Sequence, residues 1–160
     1  MKIWKTIATF LGVTLVLATV IYFYYIEYYQ PRNKDRLIFK TINEEVGAVM
    51  EYARTPEEWA RGLSGRENLG TGKGMLFIFP QEQNLAFFMK DVNFPLDIIF
   101  INKDSRIVDL ITMQPCKTEP CPIYTSRAPA QYVAEVNANF AQRNGFGITD
   151  QVILPEGTSQ

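Results

Sequence analysis

The sequence predicts an α+β domain: a compact, largely antiparallel, curled, barrel-like sheet with two short helices, behind one N-terminal transmembrane helix. Three observations carry this expectation. Apolar runs of strand length, separated by turn residues, recur between Arg36 and Leu154. Only two short stretches carry helix start and stop signals, and the strand–long helix–strand rhythm of a doubly wound sheet is missing. Finally, Thr6 to Ile26 contains no charged residue and, as a helix, would span roughly 32 Å, the thickness of a hydrocarbon core.

Four segments follow: an anchor over residues 1–29, a linker over 30–35, one domain over 36–155 and a flexible tail over 156–160. In the anchor, Tyr22, Tyr24, Tyr25, Tyr28 and Tyr29 crowd one end of the apolar run, as an interfacial aromatic belt does. The run exceeds a typical signal-peptide core and no small-x-small cleavage site follows it, so an uncleaved signal-anchor is expected. Its partner would be the lipid bilayer, contacted through Thr6 to Ile26. Lys2 and Lys5 favour an inside N-terminus, whereas Arg32, Lys34 and Arg36 pull the other way. The very short N-terminal tail puts the domain outside the cytoplasm. Pro31 and alternating charge mark the linker.

About 125 residues remain, enough for one core. Arg36 to Ile42 and Glu45 to Tyr52 read as strands around an Asn43-Glu44 turn. Thr55-Pro56-Glu57-Glu58 is a helix start, with Thr55 as N-cap, Pro56 in the first helical position and Glu58 completing a capping box. Trp59, Ala60 and Leu63 supply its apolar stripe and Gly65 its stop. Gly70-Thr71-Gly72-Lys73-Gly74 invites a phosphate-loop reading, but Glu67 stands where a glycine is required and Gly74 where Ser or Thr is required. Gly74 to Phe79 and Leu85 to Lys90 are the next strands, joined by a polar turn over Pro80 to Asn84. Leu96 to Ile101 is apolar on both faces and reads as central. Arg106 to Met113 pairs back across the Asn102–Ser105 turn. Gln114 to Ala130 holds Pro115, Pro120, Pro122 and Pro129 and reads as a long irregular loop. Tyr132 to Val136 resumes a strand. Asn137 caps a short helix ending at Asn144 before Gly145, and Gln151 to Leu154 is the last strand.

Composition narrows the chemistry. The chain has 16 basic and 17 acidic residues and no histidine. Nearly balanced charge with no basic cluster argues against nucleic acid. Without histidine, Ser-His and Cys-His nucleophile pairs and His-ligated metals are excluded, leaving carboxylates, Lys, Tyr and Cys. No cofactor is expected. Met75, Met89 and Met113 could line a soft metal site, but methionines at strand positions more often fill a core, and no metal is expected.

Several short motifs resemble a known family when taken in order: Thr55-Pro56-Glu57-Glu58, Arg61-Gly62-Leu63, Gly74-Met75-Leu76-Phe77, Phe88-Met89-Lys90 and Pro95-Leu96-Asp97-Ile98-Ile99-Phe100. Together, over roughly Lys40 to Leu154, the chain resembles the bacterial and archaeal domain of unknown function 192 family. The resemblance implies a small barrel-like α+β domain outside the cytoplasm, behind a signal or anchor. Here that means a single-pass protein of a bacterial inner membrane, its domain facing the periplasm or cell exterior. This chain has Phe88, Asp91 and Val92 where the family usually has Trp, Asn and Thr. The resemblance implies no settled activity.

The candidate site centres on the run from Phe87 to Ile101, where Lys90, Asp91 and Asp97 interrupt apolar sequence. A carboxylate there needs donors. Either Asp97 and Lys90, with Arg61 or Arg66, fix a polar ligand at the mouth of the sheet, or Asp97 holds backbone N–H groups and an arginine as a structural anchor. Phe88, Met89 and Tyr124 complete the candidate ligand-binding set. Cys116 and Cys121, four residues apart among prolines, read as a structural disulfide rather than a redox pair. The expected role is a non-enzymatic binding or accessory module for a small polar ligand or envelope partner. The alternatives are a hydrolase using two carboxylates, such as Asp97 with Glu135, on an envelope polymer, and a structural protein-interaction domain.

Overall fold

The computed structural model describes residues 14–25 and 34–158, divided between two compact units, Met1–Lys34 and Asp35–Gln160. In the first unit, residues 14–25 are helical (α1). Among the described residues no helix is long and apolar enough to cross a membrane. The predicted span Thr6 to Ile26 starts and ends outside the described residues, as does most of the linker over 30–35.

The second unit is α+β, with a curled half-barrel sheet. Its elements are β1 (Arg36–Lys40), β2 (Glu45–Ala53), α2 (Pro56–Arg61), β3 (Lys73–Gln83), β4 (Ala86–Phe87), β5 (Leu96–Ile101), β6 (Ile107–Met113), β7 (Tyr124–Thr125), β8 (Ala130–Asn137), α3 (Phe140–Asn144) and β9 (Gln151–Ile153). Seven strands form one sheet in the order β6-β5-β8-β3-β2-β1-β9, and β4 pairs with β7 separately. Every pairing is antiparallel except β2 with β3. A parallel pair needs a crossover, and α2 lies on it. The two edges meet at one end. There Arg106 bridges Gln151, Val152 N donates to Ser105 O at 2.8 Å, and Ile107 N donates to Asp150 O at 3.0 Å.

The central strands are mostly apolar because both faces of the sheet are covered. Leu76, Ile78, Ile99, Ile101, Tyr132, Ala134 and Val136 pack with β1, β2, β9 and the α3 region. We term this the α3 face. Met75, Phe77, Phe79, Ile98, Phe100 and Val133 pack on the other side with Trp59, Leu63, Met89, Phe87 and Tyr124. This is the α2 face. Phe77 and Phe100 are fully buried, each stabilising the fold by roughly 2 kcal/mol.

Several boundaries differ from the sequence reading. Pro80 to Gln83 continue β3 rather than form a turn. The β3–β8 ladder slips between Ile78 and Gln83, so the missing N–H of Pro80 costs no ladder bond. The predicted strand Leu85 to Lys90 shrinks to β4, because the chain turns at Asp91, whose φ is 56°. Helix α2 stops at Gly62 rather than Gly65, after six residues. Asn137 does not cap α3: its side chain donates to Leu69 O at 2.9 Å, and the N-cap is Asn139, which makes no side-chain capping bond. In the expected tail, Thr158 is buried and donates to Pro155 O at 2.6 Å, while Arg54 donates to Gly157 O at 3.2 Å.

Candidate functional site

Glu135 sits in the middle of β8. Its register partners are Met75 on β3 and Ile98 on β5, so the carboxyl lies between two apolar neighbours on the α2 face. The residue is 6% exposed, and its Oε2 has no hydrogen-bond partner. Burial pushes its pKa up to about 8, and the field of Arg66 offsets only part of that rise. At neutral pH the side chain is therefore mostly a neutral acid, because no donor stabilises its charged form.

Glu135 lines a cavity of about 250 Å³ together with Trp59, Phe77, Phe79, Phe87 and Phe88, with Arg61 and Lys90 also on the lining. Local sequence builds each wall. The capping box starts α2: Glu58 Oε2 accepts from Arg54 N at 2.6 Å and Thr55 N at 3.1 Å, and Thr55 Oγ1 accepts from Glu58 N at 3.3 Å. The bonds to Arg54 and Thr55 lower the Glu58 pKa, and a carboxylate in the first turn suits the helix dipole. Trp59 is fixed by donating Nε1–H to Ala53 O at 3.0 Å, with its ring 4.7 Å from that of Phe79. Phe87 meets Phe77 and Phe100 edge-on at 5.1 and 5.8 Å. Gly62 ends α2 at φ 46°, and a Cβ there would sit 3.3 Å from Phe77 Cζ. At Gly74 a Cβ would meet the Glu135 carbonyl at 2.7 Å, so glycine lets β3 and β8 run close behind the site.

The turn after β4 borders the cavity through Lys90, which is exposed, as is Arg61 on α2. Ser64 Oγ donates to Lys90 O at 2.7 Å, and Gly65 N donates to Asp91 O at 2.8 Å. Lys90 Nζ lies 3.4 Å from Glu119 Oε1 on the loop closed by the Cys116–Cys121 disulfide, whose Cα atoms are 5.4 Å apart.

Of the residues singled out in the sequence, the cavity gathers Arg61, Phe88 and Lys90. Met89 is core on the α2 face, and Tyr124 packs against the same cluster. Met75 and Met113 are buried there too. Arg66 is gripped by Glu51 through two 2.7 Å hydrogen bonds, which lower the Glu51 pKa and raise that of Arg66. Asp97 lies across the sheet. It pairs with Val136 in register, one residue out of phase with Glu135, and so faces α3. There it accepts from Thr112 Oγ1 at 2.8 Å, Asn139 N at 3.1 Å and Ala141 N at 3.0 Å. No arginine joins this set. Because Asp97 and Glu135 face opposite sides of the sheet, they cannot flank one substrate, and the two-carboxylate arrangement expected of a hydrolase is not formed by this pair. The sequence reading named Glu135 only as a possible hydrolytic partner of Asp97 and did not single out the ring wall. Their one local signal is a charged residue inside the apolar run Tyr132-Val133-Ala134-Glu135-Val136.

Comparison with known proteins gives the following. The family model DUF192, described as Uncharacterized ACR, COG1430, matches residues 38–154. No curated protein matches the chain. Solved structures similar to the chain include the following two. A candidate transcription regulator from Sinorhizobium meliloti 1021 is 30% identical with a TM-score of 0.69, covering 74% of this chain and 91% of that one. A protein of unknown function from Novosphingobium aromaticivorans DSM 12444 is 28% identical with a TM-score of 0.66, covering 74% of this chain and 83% of that one.

Proposed function

The chain belongs to the DUF192 family, a family of unknown function, and from that premise we propose that its domain is a non-enzymatic binding module that takes a small amphipathic molecule into the cavity over Glu135. The observation that carries this reading is the orphaned carboxyl oxygen of Glu135 beside an aromatic cavity. Burying a polar group without a partner costs free energy that a folded core normally avoids. A ligand hydrogen-bonded to Glu135 would recover it. Apolar walls with a few placed polar groups are the usual make-up of a small-molecule site. Glu135 is the only carboxyl on the lining, which favours binding over two-carboxylate hydrolysis.

The reading extends to location. The uncharged run Thr6 to Ile26 supports a single-pass anchor in a lipid bilayer. The disulfide supports an oxidising compartment, hence a domain on the outer side of a bacterial inner membrane.

The test is a thermal-shift screen of the full-length chain against small amphipathic molecules, repeated with Ala86→Trp to fill the cavity. A ligand at a hundred times its Kd adds about 2.7 kcal/mol and raises Tm by several degrees. We expect such a rise in the wild type and none in the Ala86→Trp protein. Equal rises in both would place binding elsewhere, and no rise with any molecule would overturn the reading.

A further inference from the structure

We infer that the cavity selects a small zwitterion, with its ammonium end against Glu135 inside the ring wall and its anionic end at the mouth between Arg61 and Lys90. This rests on the binding reading above and names the ligand class. Three observations carry it. The one polar group at depth is a carboxyl with an open acceptor oxygen. The surrounding wall is aromatic, from Trp59, Phe77, Phe79, Phe87 and Phe88, and ring faces stabilise a desolvated cation. The exposed lining residues are Ala60, Arg61, Ala86, Phe88 and Lys90, and the two charged ones, Arg61 and Lys90, are both cationic.

Charge decides among ligand types. A simple cation would meet Glu135 but pass two positive groups at the mouth. A simple anion would be welcomed at the mouth and repelled by Glu135 once that group ionises. A molecule with both charges, ammonium leading, satisfies both ends. Lys90 is available because its Glu119 partner is a surface pairing, with the two side chains 55% and 65% exposed, and such pairs contribute little. Arg61 makes no ion pair among the described residues. A volume of about 250 Å³ equals that of about eight liquid waters, which limits the ligand to roughly ten heavy atoms.

The ammonium pairs with the carboxylate, so binding drives one proton off Glu135. Around that group, β3 and β5 present the uncharged Met75 and Ile98. Arg61 comes from α2, Lys90 from the turn after β4, and Arg66, already paired with Glu51, from the loop after α2. None of these groups is a carboxyl. Affinity therefore rises with pH up to about 8 and then levels, by about tenfold per pH unit below that point.

The experiment is titration calorimetry on the whole chain with 6-aminohexanoate, 4-aminobutanoate, hexylamine, hexanoate and hexan-1-ol, in buffers of differing ionisation enthalpy. At pH 8 one of the two zwitterions should bind at least tenfold tighter than hexylamine or hexanoate. At pH 7 its binding should release a proton. Glu135→Gln should abolish that release and weaken zwitterion and hexylamine tenfold or more, while a denaturant midpoint no lower than that of the wild type reports that the variant is folded. Joint Arg61→Gln and Lys90→Gln should bring the zwitterion down to hexylamine. If hexan-1-ol or hexanoate binds as well as the zwitterions, regardless of Glu135, the zwitterion assignment falls and the binding site stands. If none of the five binds while another molecule of the thermal-shift screen does, the zwitterion assignment falls and the binding site stands.

Discussion

Glu135 is held as a neutral acid at neutral pH by burial, and this has a consequence for stability. Its folded pKa lies near 8, against an ordinary value of 4.5. Between these values the folded chain binds more protons than the unfolded chain, so stability falls as pH rises through the interval. Glu135→Gln removes that penalty. Chemical denaturation should find the variant more stable than the wild type at pH 7 by on the order of 3 kcal/mol, with the gap closing below pH 4.5. An advantage that persisted unchanged at pH 4 would mean that burial of the carboxyl is not its source. Residue identity alone could not reveal this role. Arg61, Phe88 and Lys90 were legible because they are polar or aromatic residues in or near a dense apolar motif. Glu135 looked like one more carboxylate, since its surroundings come from Met75 and Ile98 through strand register, and the sequence does not display register.

At the scale of elements, local signals served best where they are self-contained. The capping box of α2 forms as its four residues dictate. Helix α3 shows the opposite case. Its N-cap Asn139 is left-handed and makes no capping bond. Asp97, 42 residues earlier, receives the N–H of Asn139 and that of Ala141. A cap supplied from another strand leaves no mark beside the helix it caps. Asp97→Ala should cost roughly 3 kcal/mol, as it leaves buried donors unpaired, while the cavity on the opposite face keeps its affinity for any ligand. Loss of both together would link the two faces. The proline loop after β6 was legible through its two cysteines, and its bridge forms. Cys116→Ser with Cys121→Ser should lower stability by roughly 2 kcal/mol, as expected for closure of so small a loop, measured as a shift in the denaturant midpoint at unchanged slope.

For the molecule as a whole, fold class was legible because it depends on sums: many short apolar runs, two short helices and no repeated crossover. Strand order was not. Nothing in β3 or β5 says that β8 lies between them, and nothing in β2 says that its partner β3 runs parallel. The edge strands β6 and β9 touch through one bridge, a contact between segments that are each unremarkable in sequence. The same lack of local record hides the cavity, whose lining runs from Trp59 to Glu135.

The insertion of β8 between β3 and β5 also sets a timetable for synthesis. On the ribosome, β3 and β5 emerge with one long apolar edge each, and the strand that joins them follows some thirty residues after the end of β5. Until it arrives, β5 has only β6 and β3 has only β2 on their ladders. The nascent chain therefore carries two open sheet fragments, both prone to pair with the wrong neighbour. Placement of β8 welds them, buries Glu135 and creates the cavity in one step, so the site comes into being only when the fold does.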